Sequence, residues 1–366
     1  MVMDMMKIGF FVPEEISPQP LCLARLQSAT GKQFQYAVQG RYALYRIICS
    51  YWTTHTQLLV PAYFCPLVLD TIMTLHLPIQ YYDIDLLDLN PSVESIQQKL
   101  ERMPEDTIVI VPSFYGNAAD LVAIEQVCTQ MKAICVDDAA QSFGAKLDDR
   151  FLGTFGRAGM LAFSPGKATA GHMGALFWCD GTEDKRNRTR HPLFHYVKYW
   201  DYLWNRQNAY RHSCRFAGKL FHFGAKILAH LPYGNDIMEP FEDSLLGGFL
   251  WGNLENRFVR QKIRDSFAEE FSCEPRFRVI RNLRGQAHPC KIVLLFRDRN
   301  ECSNMKEYLT KKQIGWFGGY HSYISDMREL PNTKYAVGRI LELPIECNEQ
   351  RMDELKYIIK EYCAKN

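Results

Sequence analysis

Of the 366 residues, 47% are hydrophobic and 23% charged, enough to bury a sizeable core, so disordered, collagen-like and fibrous classes drop out. Lys and Arg number 43 against 41 Asp and Glu, a net +2 that argues against non-specific nucleic-acid binding and for a small-molecule function. The 12 cysteines run singly from Cys22 to Cys363 with no CxxC, a pattern of free thiols in a reducing cytoplasm rather than of a disulfide framework.

The first residues carry only a short apolar run, Ile8 to Val12, closed by Pro13, so no export signal is expected. No apolar stretch approaches the roughly 18 residues of a spanning helix, and a cytoplasmic protein without a transmembrane segment is expected. From Gln57 onward, strand-length apolar runs alternate with helical patterns. Gln57–Tyr63, Ile79–Leu86, Thr107–Phe114 and Ala133–Asp138 read as strands, and Leu67–Leu75, Val93–Arg102 and Leu121–Met131 as helices. Repeated β-α-β units with continuously apolar strands predict an α/β fold with a mainly parallel central sheet flanked by helices. Ligands of such sheets sit at the carboxyl ends of the strands, which directs attention to the loops beginning at Pro61, Pro112 and Val136.

Residues 183–235 shift to a basic and aromatic composition with ten Lys or Arg. This insert holds one amphipathic helix, about Ser213 to Leu231, whose Phe216, Leu220, Phe223, Ile227, Leu228 and Leu231 form a stripe expected to pack on its own domain or on a partner subunit. Its Trp200, Tyr202, Trp204 and Tyr210 among cations suit either a diphosphate with a stacked base or plain packing. Beyond Cys273, a strand (Pro289–Arg297), helix (Glu301–Lys311), strand (Arg339–Pro344) and helix (Gln350–Tyr362) make a compact β/α unit. The expected division is a large domain over 1–270 and a small carboxyl-terminal α/β domain over 271–366.

Ser164-Pro-Gly-Lys167 fails as a phosphate-binding P-loop, because Leu161 occupies the required glycine position and Ala168 the required Ser/Thr. No GxGxxG, HExxH or GxSxG occurs, and the ten histidines lack metal-ligand spacing. What remains is Asp138 at a strand end and Lys167 on a later glycine-containing loop. A buried carboxylate that keeps a pyridinium nitrogen protonated, with a lysine that holds an aldehyde as a Schiff base, is the requirement of pyridoxal 5′-phosphate (PLP) chemistry. Taken alone, the spacing favours the plainer reading, Asp138 as a helix cap and Lys167 as a solvated side chain.

Longer strings carry more. VPSFYGNAADL from Val111, CVDDAAQSFGAKLDDRFLGTFGRAG from Cys135 and FSPGKATAGHMGAL from Phe163 resemble, in order and spacing, the DegT/StrS family of PLP-dependent, fold-type-I nucleotide-sugar aminotransferases. YAVQGRYAL from Tyr36, PAYFC from Pro61, YDIDLLDLN from Tyr82 and segments beginning at His288, Ile314 and Ile340 extend the likeness over nearly the whole chain, apart from the insert. The resemblance implies that Lys167 binds the cofactor aldehyde and then serves as acid and base, Asp138 faces the pyridinium nitrogen, Gln141 the phenolic oxygen, and Ala140 lies beneath the ring. One of Tyr63, Phe64 and Cys65 covers the other face, Phe64 being carried forward as the candidate.

Departures from the family pattern concentrate at the phosphate end. The family's S-G-T turn reads Gln39-Gly40-Arg41, where Gly40 keeps the turn and the Arg41 guanidinium replaces a hydroxyl. Ala162 stands for a serine, leaving Ser164 as the nearby hydroxyl; the G-E-G-G segment reads GHMG over 171–174, and the N-Y-R segment is absent at Glu239–Phe241. His321 falls where the family has a histidine near the site, but a structural histidine fits equally well, so it is kept out of the catalytic set. The resemblance implies an aminotransferase that passes an amino group, from a donor such as glutamate, to a nucleotide-linked keto-sugar for amino-sugar or surface-polysaccharide synthesis. It also implies a homodimer. A PLP sugar dehydratase, in whose relatives histidine replaces the lysine, and a non-catalytic scaffold are the alternatives.

Overall fold

The computed structural model describes residues 20–164, 166, 167, 174–181, 240–320, 324 and 326–365, with Ile8 and positions 219, 220, 222–224 and 227. His321, residues 171–173 and most of the 183–235 insert lie outside the described residues.

In chain order the elements are α1 (Leu23–Thr30), β1 (Gln35–Ala37), α2 (Gly40–Ser50), β2 (Leu58–Pro61), α3 (Pro66–Met73), β3 (Ile79–Tyr82), α4 (Val93–Leu100), β4 (Ile108–Pro112), α5 (Leu121–Gln130) and β5 (Ile134–Asp138). A small hairpin, β6 (Lys146–Leu147) and β7 (Arg150–Phe151), precedes β8 (Ala158–Ala162) and β9 (Ala175–Cys179). After the insert come α6 (Pro240–Glu270), β10 (Phe277–Val279), β11 (Ile292–Phe296), α7 (Arg299–Lys311), α8 (Pro331–Ala336), β12 (Ile340–Leu343) and α9 (Glu349–Lys365).

The seven-stranded sheet runs β1-β9-β8-β5-β4-β2-β3. From β8 through β3 all pairings are parallel, and β9 lies antiparallel to both of its neighbours. The inner parallel strands β2, β4, β5 and β8 are buried on both faces because consecutive residues feed different cores, whereas the edge strand β3 is only partly covered. Val109 and Val111 join one apolar cluster, while Ile108 and Ile110 join the cluster on the opposite face. Capping sets the helix starts: the Ser92 hydroxyl accepts the Ser95 N–H ahead of α4, and the Asp120 carboxylate accepts the Ala123 N–H ahead of α5.

A second, antiparallel sheet, β10-β11-β12, pairs Ile292 with Leu343 and Leu294 with Leu341. Leu294, Phe296, Leu341 and Leu343 share a third core with Met305 of α7, Leu355 of α9 and Ile263 and Phe267 of α6. The strands and helices expected between Gln57 and Asp138 and beyond Pro289 are present at nearly the expected places. The short β6, β7 and β10 were not expected, and neither were three strands of the large sheet. β1 is three residues long, and β8, Ala-Gly-Met-Leu-Ala, lacks the β-branched residues that announce a strand. β9 contains neither Val, Ile nor Thr.

Of the amphipathic helix in the insert, the described positions are helical, and Leu220, Phe223 and Ile227 are exposed. Among the described residues, no helix is long and apolar enough to cross a membrane.

Candidate active site

Strands β2, β4, β5 and β8 all present their carboxyl ends to one edge of the sheet, and the three loops singled out from sequence meet there. Asp138 is the last residue of β5 and is buried. Its Oδ1 accepts the Ala140 N–H at 3.0 Å. Burial raises its pKa, while the Ala140 N–H and the positive charge of Lys167 pull it down, so the acid and the amine lie within electrostatic reach of each other. Lys167 is half-buried in a turn in which its N–H reaches the Ser164 carbonyl at 3.3 Å; Ser164 is itself half-buried. The sequence-expected pair is thus brought together from the ends of β5 and β8.

The next residue inward acts differently. Asp137 sends its side chain to the other face of β5, where Oδ2 accepts the N–H groups of Gly153 at 2.6 Å and Phe155 at 3.1 Å. Burial lifts its pKa from the usual 3.8 to about 7. It fastens the 153–155 loop to the strand that carries Asp138.

Gln141 is buried with both ends of its amide engaged. Oε1 accepts the Tyr115 N–H at 3.2 Å, and Nε2 donates to the Tyr320 hydroxyl oxygen at 2.5 Å. Ala140, one residue before, is half-buried. Of the three candidates for the second ring face, Tyr63 is fully buried, its ring 5.5 Å from that of Phe114 and 5.2 Å from that of Tyr320. Phe64 is buried in the core on one face of the large sheet, and Cys65 is the half-buried residue that starts α3.

The residues expected at the phosphate end, Gly40 and Arg41, open α2. Gly40 is the first residue of α2, whose opening turn leaves N–H groups aimed outward, and the Gln39 side chain caps none of them. A Cβ at Gly40 would stand 3.0 Å from the tip of the Met160 side chain and 3.2 Å from the Ala162 Cβ, so the helix start lies close against β8, just before Ser164 and Lys167. Arg41 follows, half-buried, with its guanidinium 5.2 Å from the Tyr42 ring centroid.

Two wall residues escaped sequence reasoning. Tyr320 is within reach of Cys65 and Asp138, and burial together with those charges raises its phenol pKa. Cys290 is buried; burial raises its thiol, while Lys291 and Lys167 lower it, so it also lies within reach of Lys167. For Tyr320 the only signal was an aromatic following Gly318 and Gly319. Gly319 has φ +73°, and a Cβ there would come within 2.5 Å of the Tyr63 hydroxyl, so this loop needs glycine to seat Tyr320.

Residues 53–228 match the family model described as the DegT/DnrJ/EryC1/StrS aminotransferase family. This stretch is similar to that family. It includes Asp138, Gln141 and Lys167, and the family's members are PLP-dependent sugar aminotransferases. A curated relative, L-glutamine:2-deoxy-scyllo-inosose aminotransferase from Micromonospora echinospora, is 31% identical over 84 residues, which is 23% of this chain and 20% of the relative. The match thus spans about a fifth of that relative's length.

Over the whole fold, the crystal structure of a DegT DnrJ EryC1 StrS aminotransferase from Brucella abortus superposes with a TM-score of 0.69 at 18% identity, covering 95% of this chain and 91% of that one. The GDP-4-keto-6-deoxy-D-mannose-3-dehydratase of E coli, with bound hydrated PLP, gives 0.65 at 16% identity, covering 92% and 89%. These likenesses establish the fold-type-I architecture, and the cofactor of this family is PLP. The residues present fit it: a buried carboxylate with an amine in electrostatic reach, and a helix start pressed close to the same edge.

Proposed function

We propose that the protein is a PLP-dependent aminotransferase that moves an amino group from an amino-acid donor, glutamate, onto a nucleotide-linked keto-sugar for amino-sugar or surface-polysaccharide synthesis. The observation that carries this reading is the Asp138 and Lys167 pair at the carboxyl ends of β5 and β8. Asp138 would hold a proton on the pyridine nitrogen, the form in which the ring draws electrons best. When bound, PLP supplies an electron sink for the carbon bearing the amino group. Lys167 Nζ would hold the cofactor aldehyde, then accept a proton from the donor carbon and return it elsewhere. Gly40, Arg41 and Ser164 would hold the phosphate, Gln141 the phenolic oxygen, and Ala140 and Phe64 the ring faces. The protein would act in the cytoplasm as a homodimer.

The test is a visible spectrum of the purified protein titrated with PLP, repeated on Lys167→Ala. A yellow band in the wild type that is missing from the variant is expected, with bleaching of the wild-type band by glutamate. No band in the wild type would overturn the enzyme reading in favour of a non-catalytic scaffold. A band that glutamate leaves unchanged would overturn glutamate as the donor.

A further inference from the structure

We propose that Glu342, on the small sheet, is a positioning residue that fixes which end of the Gln141 amide faces the active site, acting through Tyr115. The inference rests on the proposed role of Gln141 as a PLP contact.

Glu342 lies on β12 and is 2% exposed, unusual for a carboxylate. One oxygen pairs with the Lys291 ammonium, and the other accepts the Tyr115 hydroxyl proton at 2.9 Å. Since Tyr115 spends its only hydroxyl proton on Glu342, the Tyr63 hydroxyl, 2.5 Å away, must be the donor between the two phenols. The Tyr63 oxygen then accepts the Tyr320 N–H at 3.1 Å. Every member of this chain is provided with a partner, the condition under which a buried polar network rigidifies its surroundings.

The backbone of Tyr115 shows what the network holds in place. Tyr115 is a buried aromatic residue at φ +60°, ψ 20°, a left-handed conformation that bulky side chains rarely adopt and that persists only where surrounding contacts enforce it. In that conformation its N–H points at Gln141 Oε1. With the amide oxygen taken by a donor, Gln141 must turn its nitrogen toward the site. One N–H goes to the Tyr320 oxygen, and the second remains to be given to an acceptor such as the phenolic oxygen of PLP. The reversed amide would set its NH2 against the Tyr115 N–H. The orientation of Gln141 is therefore decided by Tyr115, whose side chain is anchored by Glu342 and Lys291 across the gap between the two sheets.

The experiment is a double-mutant cycle on PLP binding by the full-length protein, read by the dissociation constant and the position of the visible band. Glu342→Gln and Gln141→Ala should each weaken PLP by about threefold to tenfold, the worth of one hydrogen bond. They should shift the band in the same direction, and the double variant should do no more than either single one. Additive losses, or a band unmoved by Glu342→Gln, would overturn the inference. If Glu342→Gln fails to fold, Tyr115→Phe, which removes only the hydroxyl link, must reproduce the shift, and an unchanged band refutes the inference. Absence of any band in the wild type would instead sink the underlying reading of the site.

Discussion

The two walls of the site are built on different physics. On the large-sheet side, Asp138, Gln141 and Lys167 hang from the ends of parallel strands whose every residue is buried, so apolar packing sets their positions. On the small-sheet side, Tyr320, Lys291 and Glu342 are placed by a chain of hydrogen bonds and one ion pair. The strands that carry the first wall should suffer most from changes of volume. The second should respond in the opposite way, since truncating one partner of a buried ion pair leaves an uncompensated charge.

The largest effect expected from breaking the first wall is chemical. Asp138→Ala should leave the strand in place, because among the described residues the carboxylate's hydrogen bond is to the Ala140 N–H, yet lower the transamination rate by about a hundredfold or more. Stopped-flow measurement of the glutamate half-reaction checks this, and a rate within a factor of a few of wild type would remove Asp138 from the site. At the phosphate corner, Arg41→Ala should weaken PLP by about tenfold or more, the worth of a charge-assisted hydrogen bond, while the melting transition stays cooperative. An unchanged PLP titration would make Arg41 a bystander.

The smallest expected effect sharpens the contrast by separating Asp137 from Asp138. A carboxyl that holds its proton to about pH 7 in the folded chain, against 3.8 ordinarily, binds more protons folded than unfolded between those values. Its contribution to stability is therefore greatest at low pH and is lost as pH rises through that window. Asp137→Asn should flatten this fall, so that melting temperatures of wild type and variant, compared at pH 5 and pH 8 without PLP, differ in slope by about 2 °C or more. Parallel pH dependences would show that Asp137 does not titrate there.

Legibility followed the same divide. The large-sheet wall was readable because its residues lie in short contiguous strings: 136–142 contains both Asp138 and Gln141, and the alternation of apolar strands and helices around them fixes which loops converge. The small-sheet wall was not, since Tyr115 meets Glu342, and Tyr63 meets Tyr320, only through tertiary pairing that no local pattern encodes. Tyr320, whose hydroxyl meets Gln141, drew no attention from the sequence, although its neighbour His321 did. β9 was missed for a related reason: its reversal of direction is a property of the sheet, invisible in five apolar residues.

That reversed strand has a consequence for how the chain acquires its phosphate corner. β1, which leads directly into α2 and Gly40, has β9 as its sheet neighbour, with Gln35 opposite Phe177. During synthesis the amino-terminal segment must wait, unpaired, until the residues of β9 have emerged, although β2 to β5 can assemble among themselves beforehand. The corner that would grip the anionic end of the cofactor is thus made well before the strand it docks on, which makes it a natural place for added PLP to speed or complete refolding.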